Sequence, residues 1–346
     1  MKKALTLLLL AAMLTAPLAG CGESAGTDDE TAKTTTASTE KDTPASTPAG
    51  TDDNIPEYNP DEANPASDFE YEVGEDGGIT ITKYIGTDTD VVIPEKIEGK
   101  SVTRIGENAF LNNNTMVSIV IPNTVIMICQ SAFQSCGVLK TADLSDNLTQ
   151  IEYGAFVNCQ SLESIVLPDS LCKLGEEAFS NCSALKAINI PNSVKEWGRG
   201  TFMNSGIITV DLEDGLETIG DHAFAYTDLQ KIVLPDSIQA IDYMAFAACA
   251  QLESVSLNEG LTYIGNSVFG GCKKLEEIMI PSTVIKMNEW ALASSSLEKV
   301  FFKGNAPDKF INDILRVEDP TFTVYYHEGA TGFTSPEWNG YKTEIW

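Results

Sequence analysis

Five cysteines, Cys136, Cys159, Cys182, Cys249 and Cys272, recur at one 23-residue interval or a near multiple of it. A thiol can serve as nucleophile, metal ligand or half of a disulfide, and each use demands different neighbours. A nucleophile needs an adjacent base, yet the chain has only two histidines, His222 and His327, and neither lies in a recognisable pairing with a thiol or serine. No catalytic residue can be assigned, and the chain is not expected to be an enzyme. Zinc needs ligands that converge tetrahedrally, whereas side chains repeated along a line point the same way, so no metal site and no cofactor are expected. Asp146, Asp169, Asp214, Asp236 and Glu259 also recur in step. They read first as a solvated edge, with a weak cation-binding rim as the alternative.

What positions these residues is a repeat. Each of the five cysteines lies three residues after a phenylalanine in the series Phe110, Phe133, Phe156, Phe179, Phe202, Phe224, Phe246 and Phe269, whose spacings are 22 or 23, and Leu292 fills the same slot 23 residues on. Nine turns in register are not accidental. Within one unit Leu162, Ile165 and Leu167 suit a short strand, Pro168 ends it, and Gly175 suits a tight bend before a helical turn carrying Phe179. No unit could cover its own apolar residues. Stacking coils about 4.8 Å apart lets each close its neighbour's surface, with a parallel sheet along the array. The cysteines then form an interior column, either a structural ladder of reduced thiols or one carrying a Cys136–Cys159 or Cys249–Cys272 bridge.

The chain resembles the BspA-like leucine-rich repeats, also called the Treponema pallidum type, over about residues 90–302. The resemblance rests on Ile121-Pro122, Leu167-Pro168, Ile190-Pro191, Leu234-Pro235 and Ile280-Pro281, on Ile105-Gly106, Ile219-Gly220 and Ile264-Gly265, and on Ala-Phe-x-x-Cys at Phe133, Phe156, Phe179 and Phe246. It implies an α/β solenoid: a right-handed superhelix of about nine 22–23-residue coils at 93–302, a parallel sheet on the concave face, and end caps at 69–92 and 303–346. Phe69, Tyr71, Ile79 and Ile81 around Gly77-Gly78 suit a capping hairpin, while residues 321–326, Phe333, Trp338 and Trp346 suit the closing cap, after a short helix over 307–315. Trp197 in an isoleucine slot, and Ser205 and Thr227 in cysteine slots, mark coils where the array should bend or loosen.

The ends and the charge bear on function. Lys2 and Lys3, an apolar run over 4–13 and the small residues before Cys21 have the parts of a signal peptide, residues 1–20. Leu18-Ala19-Gly20-Cys21 resembles the lipobox of bacterial lipoproteins, which implies lipidation at Cys21 and an outward-facing, membrane-anchored chain. Residues 22–68 hold twelve acids against two lysines and almost no large aliphatic side chain, and read as a disordered tether. A net charge of −28 argues against nucleic acid and against any membrane contact beyond the lipid. Counting along the strands gives an outward row, Val120, Asp143, Val166, Asn189, Asp211, Val233, Ser256, Met279 and Phe301, with a neighbouring row of mostly short side chains. The apolar members Val120, Val166, Val233, Met279 and Phe301 are the candidate binding face, though valine also suits strands anywhere. Together with the resemblance, these features imply an adhesion module for a protein or glycan on a host or neighbouring cell. The alternatives are an envelope spacer without a ligand and, further off, an enzyme with an unrecognised site.

Overall fold

Each coil contributes two short strands and one string of turns, and both strand series run as parallel ladders broken at intervals along the array. In the first strand series Thr141–Asp143 pairs in parallel with Ser118–Val120 and with Ser164–Ile165. In the second, Gln150–Ile151 pairs with Met127–Ile128 and Lys173–Leu174, so Ile128, Ile151 and Leu174 stack inward in one buried column. The prolines separate the two series: Pro168 cannot donate to a ladder, and its carbonyl accepts the N–H of Leu171 at 2.9 Å, closing a turn. These features belong to a computed structural model that describes residues 58–293, 296–307 and 321–346, all within the unit Thr43–Trp346. The signal peptide, Cys21, residues 22–57 and most of the expected helix at 307–315 lie outside the described residues.

The third side differs from the expected helical turn, and among the described residues there is no α-helix. Two residues before and two after the marker phenylalanine the backbone is left-handed, as at Ser131 (φ 53°) and Ser135 (φ 60°) around Phe133. A right-handed run is thus broken every four residues. Alternate N–H groups turn to the next coil instead: Ser131 to Tyr153, Phe133 to Ala155 and Ser135 to Val157, at 2.8–2.9 Å. Glycine and asparagine tolerate this conformation best, which accounts for Asn112, Asn158, Asn181 and Asn204 at one such position.

Inside the turns the phenylalanines form a continuous stack, fully buried, with centroids 4.9–5.8 Å apart from Phe110 to Phe269. Tyr84 extends it by one ring, 5.3 Å from Phe110. With that rung and the terminal strands the solenoid has about 11 turns. Gly175 serves close approach rather than a bend: a Cβ there would lie 2.3 Å from the backbone carbon of Glu152 in the preceding coil. The irregularity at Trp197 falls on the strands alone. The second series is interrupted between Glu196–Trp197 and Thr218–Ile219, while Phe179, Phe202 and Phe224 stack through the same coils at 5.4 and 5.5 Å.

The first end is closed by the antiparallel hairpin of Phe69–Val73 and Ile79–Tyr84, the latter pairing in parallel with Lys100–Ile105. Disorder up to residue 68 is corrected at its far end. Residues 58–68 are seated on the first coil, where buried Asn64 accepts the Val92 N–H at 2.8 Å and Tyr58 Oη accepts that of Glu95 at 3.2 Å. One well-placed amide satisfies an edge that composition cannot foretell. At the other end Lys299–Phe302, Thr323–Tyr326 and Tyr341–Ile345 continue the parallel ladder, and Trp338 Nε1 donates to the Gly332 carbonyl at 2.7 Å.

Candidate binding face

The first strand series presents every second residue outward, because side chains alternate along a strand. Its register places Asn189 beside Asp211, Val233 beside Ser256 and Met279 beside Phe301 on adjacent strands. Val166 is 54% exposed, Val233 69% and Met279 39%. Val120 is only 3% exposed and does not belong to the accessible face. It stands one rung in from Val92, whose N–H and carbonyl are both bound by Asn64, at the end of the row where residues 58–68 are seated. Phe301 is half-buried, its ring stacked on Tyr325 at 4.8 Å and meeting Trp346 edge-on at 5.2 Å.

Tyr325 and Trp346 therefore belong to the same face, although counting in 23-residue steps does not reach them. The strands at Lys299–Phe302 and Thr323–Tyr326 begin 24 residues apart, one more than a 23-residue step, and only the pairing of Phe301 with Tyr325 reveals the register. The acids flanking the row are partly engaged between coils: Asp146 exchanges hydrogen bonds with Asn123 at 2.8 and 2.9 Å, and Glu259 pairs with Lys303 at 2.7 Å.

The five ladder cysteines are buried and free. Each thiol donates to the carbonyl of the marker phenylalanine one coil back: Cys136 to Phe110, Cys159 to Phe133, Cys182 to Phe156, Cys249 to Phe224 and Cys272 to Phe246, at 3.1–3.3 Å. Where the slot holds Ser205 or Thr227, the hydroxyl turns back to the phenylalanine carbonyl of its own coil at 2.7 or 2.8 Å. Burial pushes the Cys182 thiol up to about 12 and the Cys249 thiol up to about 11, which keeps both protonated, as donors must be. The ladder is thus a set of ties between coils.

His222 is buried, bonded through Nδ1 to the carboxylate of Asp221, and its ring meets Tyr243 edge-on at 5.1 Å. His327 stacks on Trp346 at 4.5 Å in the terminal cap. The ladder thiols donate to backbone carbonyls rather than to either imidazole, so the structure brings no nucleophile and base together from these residues. Among the described residues no group of three or more His, Cys, Asp or Glu side chains could hold a metal ion. One recess on the second strand series, lined by Gln130, Glu152, Tyr153, Lys173, Gly175 and Glu176, measures about 270 Å³ and is open to solvent. That is below the roughly 300–1,000 Å³ typical of pockets enclosing small molecules.

Known proteins share this architecture. The chain is similar to the T. pallidum leucine rich repeat protein TpLRR, with 33% identity and a TM-score of 0.51 over 62% of this chain and 91% of that one. It is also similar to a leucine-rich repeat protein from Bacteroides ovatus, with 25% identity and a TM-score of 0.64 over 81% of this chain and 75% of that one. No curated protein matches it. The model of the BspA type leucine rich repeat region, in six copies, matches residues 103–227 and 198–308. Over the coils that carry the stacked phenylalanines and the exposed strand row, the chain belongs to the BspA type leucine rich repeat family.

Proposed function

We propose that this chain is a binding module whose strand face meets a protein or glycan on a host or neighbouring cell, and that a lipid on Cys21 holds it on the outer side of a bacterial membrane. The observation that carries the reading is the exposure of Val166, Val233 and Met279 in one outward row along the stacked coils. Isolated surface valines are ordinary, but a row fixed by register on stacked strands keeps its geometry when a partner arrives, so little ordering entropy is lost on binding. The anchor rests on Leu18-Ala19-Gly20-Cys21.

The test is a panel. The purified chain is incubated with matrix proteins, mucins and glycans, and saturable binding to at least one is expected. Binding to none supports a spacer instead, and hydrolysis of any of them revives an enzyme. For the anchor, Cys21→Ala should release the protein from the membrane fraction. Unchanged membrane association of that variant would refute the lipid.

A further inference from the structure

We infer that the coil of residues 187–205 is a joint: it divides the solenoid into two cooperative blocks and opens before the coils on either side. A coil can be held to the next in three ways, along each strand series and through the thiol that reaches back to the preceding phenylalanine carbonyl. From Phe110 to Phe179 all three are present at every step. The same holds between Phe246 and Phe269. Between Phe224 and Phe246 one is missing, because Thr209–Leu212 and Lys231–Val233 do not pair.

The steps on either side of residues 187–205 each lose two of the three. Towards Phe179, Ser164–Ile165 and Ala187–Ile190 do not pair, and Ser205 turns its hydroxyl to its own Phe202 carbonyl; Lys173–Leu174 still pairs with Glu196–Trp197. Towards Phe224, Ala187–Ile190 pairs with Thr209–Leu212, but Glu196–Trp197 and Thr218–Ile219 do not pair, and Thr227 turns to its own Phe224 carbonyl. Trp197 accounts for the break in the second series. Neighbouring coils fill its slot with fully buried Leu174 and Ile219. Its indole is only partly buried and meets Phe202 and Phe224 edge-on, at 6.5 and 6.1 Å, so it lies across the boundary where the two strands would pair. The stability of such an array is a sum over neighbouring coils, so it divides where the fewest ties hold. The phenylalanine stack crosses both steps unbroken, at 5.4 and 5.5 Å. Asn189 of the outward row stands on this coil, so the row keeps its geometry within each block and gives where the blocks meet.

Native-state hydrogen exchange of the purified chain, read by mass spectrometry, tests this. Amides in one slot make the same bond to the next coil at every step, so their rates compare directly. Glu177, Phe179 and Asn181 N cross the first weak step, and Gly200, Phe202 and Asn204 N the second, at 2.8–3.0 Å. Gly154, Phe156 and Asn158 N cross a fully tied step at 2.8–2.9 Å. The first two sets should exchange at least about tenfold faster than the third. Fraying from the ends gives the reverse order, since residues 200–204 lie nearer the middle of the array. Ser205→Cys with Thr227→Cys replaces the missing thiols, and Trp197→Ile restores an aliphatic side chain to the slot. Circular dichroism melts verify that both repaired chains fold, and each should slow exchange at residues 200–204 towards that at 154–158. Equal protection of the three sets in the wild-type chain would overturn the inference. Wild-type exchange rates in both repaired chains would do the same.

Discussion

Replacing Phe179 by alanine removes a ring from the middle of the stack. The side chain is fully buried, its centroid 5.2 Å from Phe156 and 5.4 Å from Phe202, with both planes within 6° of its own. Deleting a buried phenylalanine side chain costs about 3 to 5 kcal/mol when the cavity cannot collapse. Two lost ring pairs, at about 0.5 to 1.5 kcal/mol each beyond area, place this variant towards the upper end. Collapse is hindered here because the backbone around Phe179 is tied to the next coil, with Phe179 N donating to Thr201 and Asn181 N to Met203 at 2.8 and 2.9 Å. Urea melts followed by circular dichroism measure the loss. Because coils contact only their neighbours, a weakened middle coil should also let the two halves unfold less cooperatively, lowering the apparent m-value. Phe179→Leu, which puts at this slot the residue that Leu292 supplies in the last coil, should cost less than Phe179→Ala, because it refills much of the cavity while still losing both ring pairs. A loss below about 1 kcal/mol for Phe179→Ala would refute the claim that the marker column is the core.

Three further outcomes follow from the same geometry. The ladder thiols should resist an aromatic disulfide reagent in the native state and react after denaturation; rapid native labelling of Cys182 would contradict their role as buried donors. The folded pKa values of Cys182 and Cys249 lie above the ordinary thiol value of 9.0, so the stability these two contribute is present below about pH 9 and lost as pH rises towards 11 to 12. The melting temperature should therefore fall across that window, and a flat profile would count against the shift. Gly175→Ala should destabilise by roughly 1 to 3 kcal/mol in the same urea assay, because its Cβ would meet backbone rather than a flexible side chain. A neutral result would mean the coils are not packed this closely.

The repeat was legible because one slot is written many times: a phenylalanine at a constant interval can be aligned without knowing any single coil's conformation. Local conformation was harder to read. Glycine and asparagine beside Phe156 are compatible with a helical turn, and only the donation of alternate N–H groups to the next coil selects the left-handed positions at Gly154 and Asn158. Gly175 shows the same limit, since its reason lies in the neighbouring coil. In the candidate face, Val166, Val233 and Met279 follow from strand alternation within the repeat. Val120 is buried at the end of the row, one strand in from Val92, where Asn64, some 56 residues earlier, ties a non-repeating segment to the array. Tyr325 and Trp346 escape a 23-residue count for the converse reason: the step from Phe301 to Tyr325 is 24 residues, so their place depends on sheet register.

The most direct test of the account compares strand face with rim once a binding partner is in hand. Val233→Asp and Met279→Asp change exposed apolar residues of the row, whereas Asp169→Lys and Asp236→Lys reverse charges just beyond the strands. With all four verified as folded by thermal melts, dissociation constants are measured against wild type by surface plasmon resonance. The strand-face changes should each weaken binding by about tenfold or more, and the rim changes by only a few-fold, more visibly at low salt. If the rim changes abolish binding and the strand-face changes leave it intact, the acidic edge is the site and the strand face is not.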